Sequence, residues 1–422
     1  MLILQFITLT LTAIEVDVEL LDGSSFTGSL TAIGAEELTL LQDGEQKAFA
    51  LAEVISVTSH HQNSKLTDDS PAQLLLADGS QIACRLNSLT SKQVSADSST
   101  GGPLIVPREV VRAVRLSAVN PEWTKEWQAF LSRDNDEDLL ILKKRDGSGL
   151  DFYSGVVSAT SGDNVNFVLD GDTVPVPRNR IYGLVFAAAE SEGNGRITLR
   201  FSDASEIIIR RVITEGESLK VETSWNQMLT MRLTDVLGID FSRGRFHYLS
   251  DLDPVRETYS EIHPQGSLLQ ALLRAEDVLG EEALKLWKLH RDKVPMGPFG
   301  PLPLTLRGKV YEKGIWLFPR CRIDYAVDGQ YSRFQTIAGV DDEVAFNCSK
   351  PGSPSKVQLT ILADGDEVWK QLIEAPADPV RIDLDVSRIR TLSILADFGD
   401  DDSACDFLDL ADARLLVIPQ PR

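Results

Sequence analysis

"LLDGSSFTGSL", residues 20–30, sets an Asp-Gly-Ser between two runs in which apolar and polar side chains alternate. Alternation at period two marks a half-buried strand. Asp-Gly between two such runs reads as a tight hairpin, because glycine takes a positive φ without steric cost. The design returns as "LADGSQIACRL" at 76–86, "KRDGSGLDFYSGVV" at 144–157 and "FSDASEIIIRRV" at 201–212. Type I′ turns are expected in the first three. Ala204 stands at the glycine position of the fourth, so a different turn is expected there.

The likeness extends past the turn. Each copy ends in an apolar pair three residues apart: Val54 and Val57, Val111 and Val114, Ile181 and Leu184, Val236 and Ile239. From the turn aspartate to the first of each pair the separations are 32, 33, 35 and 33 residues. Segments between these landmarks, such as "NVNFVLDGDTVPV", supply another hairpin, giving about five short strands per copy. Five short, bent strands in so few residues fit small SH3-like or Sm-like barrels, expected at 14–58, 72–117, 138–188 and 195–242. One such barrel is barely large enough for its own core, which favours packing of the copies on one another.

Between the second and third copies, "NPEWTKEWQAFLSR" (120–133) reads as a linking helix. Asn120 is a natural N-cap, Pro121 fits the first helical position, and Trp123, Trp127 and Phe130 fall on one face, expected to cement the two copies together. Residues 58–71 read as an exposed linker, where His60 and His61 have no companions for a metal site.

The chain has 422 residues, 43% hydrophobic residues and a formal charge of −21. The charge is spread, with 20 basic against 34 acidic residues in 1–242 and 22 against 29 in 243–422. Neither half offers the basic field that nucleic acid requires, so nucleic-acid partners are excluded. "MLILQFITLTLTA" (1–13) has the length of a signal-peptide core and is too short to span a bilayer, so no integral membrane span is expected. It reads as a signal peptide or as a first strand. The first reading makes the protein exported: periplasmic, on the cell surface or secreted. Cys84, Cys321, Cys348 and Cys405 form no CxxC pair. One disulfide among the last three, or buried free thiols, fits an exported chain.

From residue 243 the texture changes. A stretch at 266–292 carries helical apolar spacing, "KVPMGPFGPLP" punctuates the chain, and alternating strands follow. In "GIWLFPRCRIDYAV" (314–327), Ile315, Leu317, Cys321, Ile323, Tyr325 and Val327 share one face, and Trp316, Phe318, Arg320, Arg322 and Asp324 share the other. Runs such as "VQLTIL", "VRIDLDV" and "ARLLVI" complete a set of antiparallel strands with no helix between them, which makes a jelly-roll β-sandwich over 243–418.

"YLSDLDPV", "LRGKVYEKGI", "RIDYAVDGQYSRFQTIAGVDDEV", "VQLTILADGDEVW" and "DFLDLADARL" occur in that order. Together they resemble the NPCBM domain, akin to carbohydrate-binding module family 51. The resemblance implies a galactose-binding-like sandwich that recognises sugars. It also implies that "YSRFQTIAGVDDEV" (331–344) is a central strand with Phe334 inward and a bend at Gly339-Val340-Asp341. Two positions depart from the family pattern: Phe318 stands where histidine is common and Leu410 where tryptophan is usual. Trp316 could replace the lost aromatic platform. A sugar needs an aromatic face and a few fixed donors, and Trp316, Arg320 and Arg322 on one strand face offer both, though a solvated face accounts for them equally well.

The run "DFGDDDSACDFLDLAD" (397–412) holds seven aspartates and reads as a solvated loop or as a structural calcium site through Asp400, Asp402 and Asp406. No other cofactor is expected. No HExxH, GxSxG, P-loop or dinucleotide fingerprint occurs. The leading expectation is therefore a non-catalytic, exported carbohydrate-binding protein. Its sandwich would recognise a glycan or glycoprotein, and its repeats would act as a scaffold and offer contacts to other proteins. The alternatives are a protein-interaction scaffold whose sandwich has lost sugar binding, and a glycoside hydrolase with an unrecognised site.

Overall fold

The computed structural model describes residues 14–60, 72–187, 195–259, 287–295, 301–342, 355–399 and 406–418. The fold is mainly β and divides into two compact units, 1–243 and 244–422. The N-terminal thirteen residues, His61 and nearly all of the helical spacing at 266–292 lie outside the described residues.

In the first unit the chain lays down the same five-stranded ladder four times. In the first copy Ile14–Leu20 pairs with Ser25–Ile33 and with Val54–Ser59, Ser25–Ile33 continues to Glu37–Gln42, and Glu37–Gln42 to Glu45–Ala50. The long second strand of every copy carries a register shift, between Leu30 and Ala32, Leu86 and Ser88, Val157 and Ala159, and Ile209 and Arg211. A bulge at one place in each copy bends the ribbon back on its own apolar face. Among the described residues no ladder joins the fourth strand of a copy to its fifth, so hydrogen bonding leaves each five-stranded copy open at that seam. In the last three copies a 3-10 turn spans it, at Arg108–Val110, Arg178–Arg180 and Leu233–Asp235.

The hairpins correct two expectations. Gly23, Gly79 and Gly147 have φ of 75°, 99° and 74°, while the preceding aspartates are not in the left-handed region. The turns are therefore not type I′. Each has a left-handed third residue that closes a longer loop, as in a type I turn with a G1 bulge. Ala204, at φ 61°, adopts the same conformation, so the fourth turn belongs with the others. The turn aspartate explains why. Asp22, Asp78, Asp146 and Asp203 each accept from the backbone N–H of the following serine at 2.7–3.0 Å, which fixes the loop whichever residue stands between.

The copies join through their fifth strands. Val57 lies opposite Ile239, and Val114 opposite Leu184, so the apolar pairs seen in the sequence form the seams between copies one and four and between copies two and three. The two seams repeat in detail. Thr214 Oγ1 accepts from Ile33 N at 2.9 Å in one, and Thr160 Oγ1 accepts from Leu89 N at 3.0 Å in the other. All twenty strands form one continuous sheet over a shared core.

The helix begins as a 3-10 turn at Pro121–Trp123, where Asn120 Oδ1 accepts from Glu122 N, and continues as Thr124–Leu131. Trp127 is buried with Ala113 of the second copy and Leu139, Ile141 and Tyr182 of the third. A Cβ on Gly183 would come within 2.6 Å of Trp127, so the glycine makes room for the indole.

The second unit is a sandwich. One sheet orders His290–Arg291, Gly314–Leu317, Leu408–Val417, Tyr331–Val340 and Val380–Asp385, with Phe246–Tyr248 also on Leu408–Val417. The other orders Arg256–Tyr259, Cys321–Ala326, Thr391–Phe398, Lys356–Ala363 and Asp366–Glu374. Ile315, Leu317, Phe334, Leu410 and Leu415 from the first meet Ile323, Tyr325, Leu359 and Ile394 from the second in the core between them. A hairpin, Leu304–Leu306 with Lys309–Tyr311, lies over the outer face of the first sheet and encloses a second, smaller core. The bend expected at Gly339-Val340-Asp341 falls later: Gly339 is still inside its strand, opposite Asp409.

Candidate functional site

The alternation in "GIWLFPRCRIDYAV" has the right phase but spans two strands in two different sheets. Gly314–Leu317 ends before Pro319, and the chain crosses the sandwich to begin Cys321–Ala326. Cys321 follows Leu317 by four positions, an even step, so the inward side chains stay in register while the outward ones part company. Trp316, Arg320 and Arg322 therefore do not share a face. Trp316 is 0% exposed, packed in the second core with Phe318, Phe407 and Tyr311, and offers no ring to solvent. The two departures from the family pattern are buried as well. Phe318 lies against Trp287 with ring centroids 4.6 Å apart, and Leu410 sits between the sheets.

Arg320 and Arg322 do come together, on the outer face of the five-stranded sheet. Arg322 Nε donates to Asp324 Oδ1 at 2.8 Å and its Nη2 to Ser393 Oγ at 3.1 Å. Arg256 Nε donates to Asp324 Oδ2, also at 2.8 Å. The Asp324 side chain is 0% exposed beneath its two partners. Burial alone would push this carboxyl up, but hydrogen bonds from Arg322, Ser393 and Arg256 outweigh it and hold the group below its ordinary range. The result is a fixed ionic clamp whose remaining guanidinium N–H groups stay partly exposed. Arg320 extends the face, paired to Asp397 at 3.0 Å, with its guanidinium 5.2 Å from the centre of the Phe398 ring. Preorganised forks of this kind can donate to sugar hydroxyls or acid groups with little loss of side-chain entropy. Arg256 and Ser393 were missed in the sequence. Arg256 opens the short strand Arg256–Tyr259, and only the pairing of Glu257 with Ile323 brings it onto Asp324.

Asp400 and Asp402 lie outside the described residues. Asp406 is buried, and its Oδ1 accepts from Lys356 N at 2.9 Å and Ser355 Oγ at 3.2 Å, anchoring the start of Lys356–Ala363. Among the described residues no cluster of three or more His, Cys, Asp or Glu could hold a metal. His60 pairs with Asp17 at 2.8 Å. Cys84 and Cys321 are buried free thiols, each pushed up to about 12 by burial, so Cys321 takes no part in the expected disulfide; Cys348 and Cys405 lie outside the described residues. No helix among the described residues is long and apolar enough to cross a membrane.

Residues 275–416 match the NPCBM/NEW2 domain. This stretch is an NPCBM domain. Solved structures similar to the chain include a CBM51 from Clostridium perfringens GH95 in complex with methyl-galactose, at 20% identity over 40% of this chain and 99% of that one, with a TM-score of 0.30. Tandem CBM51 modules of Sp3GH98, the family 98 glycoside hydrolase from Streptococcus pneumoniae SP3-BS71, share 15% identity over 82% of this chain and 88% of that one, with a TM-score of 0.31. The CBM51-2, in complex with GlcNAc, and INT domains from Clostridium perfringens ZmpB share 16% identity over 60% of this chain and 43% of that one, with a TM-score of 0.30. No protein of curated function matches the chain.

Beneath the covering hairpin the NPCBM domain buries a carboxyl pair. Asp341 and Asp409 are 1% and 0% exposed, and Asp341 Oδ2 accepts from Thr305 N at 3.1 Å. Among the described residues neither Asp409 oxygen has a well-formed hydrogen bond, and its closest charged neighbour is Asp341. Burial first, and the Asp341 charge second, push Asp409 well above the usual carboxylate range.

Proposed function

We propose that this is a non-catalytic, exported carbohydrate-binding protein. Its NPCBM domain recognises a glycan or glycoprotein through the arginine-lined outer face of its second sheet, and the four repeats form a rigid scaffold. The observation that carries the reading is the NPCBM match over 275–416. The Arg322–Asp324–Arg256 clamp and the neighbouring Arg320 supply the place, since they fix several charged donors on one accessible face. The ring of Phe398 beside Arg320 gives this face an apolar edge.

The test is a glycan array probed with the whole chain, followed by affinity measurements on Arg320→Ala and Arg322→Lys. Lysine keeps the charge over Asp324 but loses the planar fork. Binding to a defined sugar, weakened about tenfold in either variant, is expected for the loss of one charge-assisted hydrogen bond. Silence of the folded chain across the array would sink the sugar reading. Unaltered affinity in both variants would move the site off this face.

A further inference from the structure

The third repeat breaks a rule that the other three obey. The residue two positions before the turn aspartate closes the hairpin: Leu20 N, Leu76 N and Phe201 N donate to Ser24, Ser80 and Ser205 O, and Lys144 N donates to Gly149 O in the same role. Leu20, Leu76 and Phe201 are buried and plug the end of their copy. Lys144 cannot, because burying an unpaired ammonium costs far more than leaving it in water. An open cleft of about 530 Å³ lies there instead.

Four cations line this cleft: Lys143, Lys144, Arg145 and Arg180. Lys143 Nζ donates to Asn179 O at 3.1 Å, and none of the four makes an ion pair among the described residues. Two carboxylates, Asp146 and Asp151, also line it, and Tyr153 stands at its side, 49% exposed. The local balance is cationic on a chain whose formal charge is −21. Charges that serve only solubility need no cleft, and a plug restored by leucine would fold as it does in the first two copies.

We propose that this cleft is a second binding site, separate from the NPCBM domain, for a short acidic saccharide. The guanidinium groups of Arg145 and Arg180 suit the acid group, whether carboxylate or sulfate. Asp151 can accept hydroxyl hydrogens, and the face of Tyr153 fits the C–H side of a pyranose ring. A volume of this size takes two or three sugar rings. Long polyphosphates are disfavoured, because the two carboxylates at the cleft and the acidic chain around it repel them.

The experiment is calorimetric titration of the full chain with trigalacturonate, a sulfated disaccharide, neutral galactotriose and a short single-stranded oligonucleotide. The same titrations are run on Lys144→Leu, Arg180→Gln, Arg320→Ala and, as a control, Lys220→Gln, an exposed lysine of the fourth copy outside the cleft. Saturable binding of an acidic saccharide but not of galactotriose is expected, weakened roughly tenfold or more in the two cleft variants and unchanged in Lys220→Gln. Whether trigalacturonate or the sulfated sugar binds identifies the acid group. Lys144→Leu should retain or raise the melting temperature, which separates loss of binding from loss of fold. The proposal is overturned if neither acidic sugar binds, if the cleft variants bind as well as the parent, or if the oligonucleotide binds more tightly than both sugars. Arg320→Ala touches only the NPCBM face, so a loss confined to it reports on the sandwich and a loss confined to the cleft variants reports on this site, and failures of the two readings are told apart.

Discussion

Ser80 and Ser205 exchange the same hydrogen bond across two copies of the repeat: Ser80 Oγ accepts from Ile208 N and Ser205 Oγ accepts from Ala83 N, both at 2.9 Å. Each serine follows its turn aspartate by two residues and each donor follows its serine by three, so copies two and four meet through equivalent atoms. The contact unites the pair formed by copies one and four with the pair formed by copies two and three. Both serines are buried, at 0% and 1% exposure.

Removing either hydroxyl strands a backbone N–H at this contact. Ser80→Ala and Ser205→Ala should each cost about 1–2 kcal/mol in urea unfolding of the full chain. The double variant should fall short of additivity, because both residues serve one interface. Strict additivity would mean that the two bonds act independently.

Ala204 holds a left-handed conformation that glycine adopts freely, at φ 61°. Ala204→Gly should therefore stabilise the first unit by about 0.5–1 kcal/mol, the relief of left-handed strain less the entropy that glycine adds to the unfolded chain. A lower melting temperature for the variant would show that the alanine methyl makes a contact worth more than the strain.

Much of the first unit was legible because its signals are local. Turn aspartates, alternation and the spacing to the apolar pairs are all written within about 35 residues of one another. The turn type was misjudged because Asp-Gly suits several hairpins, and the aspartate-to-serine hydrogen bond that selects among them shows only in three dimensions. The order in which copies meet was not legible, since Thr160 and Thr214 look like any other strand threonines until Leu89 and Ile33 lie against them. In the second unit, the inward face of residues 314–327 was readable from alternation alone. Trp316 was misplaced because alternation says which side of a strand a residue occupies and not whether a distant segment covers that side. Here the cover is the hairpin 304–311, whose own sequence carries only eight residues of weak pattern.

Gly339 reports on that cover. A Cβ at this position would lie 2.8 Å from Leu306 Cδ2. Gly339→Ala should push the hairpin off the sheet and cost about 1–3 kcal/mol through overpacking. Trp316→Ala should cost about 3–5 kcal/mol by opening a cavity in the same small core. In both variants, near-ultraviolet circular dichroism should report altered packing of the tryptophans before any secondary structure is lost. A Trp316→Ala variant as stable as the parent would contradict its burial.

Two of the buried aspartates of the sandwich, Asp324 and Asp409, should pull its stability in opposite directions with pH. Asp324 is depressed in the fold, so its contribution is present above its unfolded-state pKa and lost as pH falls through the lower folded value. Asp409 is raised, so the folded domain holds a proton that the unfolded chain releases near pH 4. Its contribution is complete below that pH and is lost as pH climbs toward the folded pKa. Melting temperatures of the NPCBM transition measured between pH 3 and pH 8 should therefore fall at both ends. Asp409→Asn keeps the size and a hydrogen bond to Asp341 but carries no titratable proton. It should flatten the decline on the neutral side and leave the acid limb, to which Asp324 contributes, in place. A neutral limb that is equally steep in Asp409→Asn would show that the carboxyl pair is not its source.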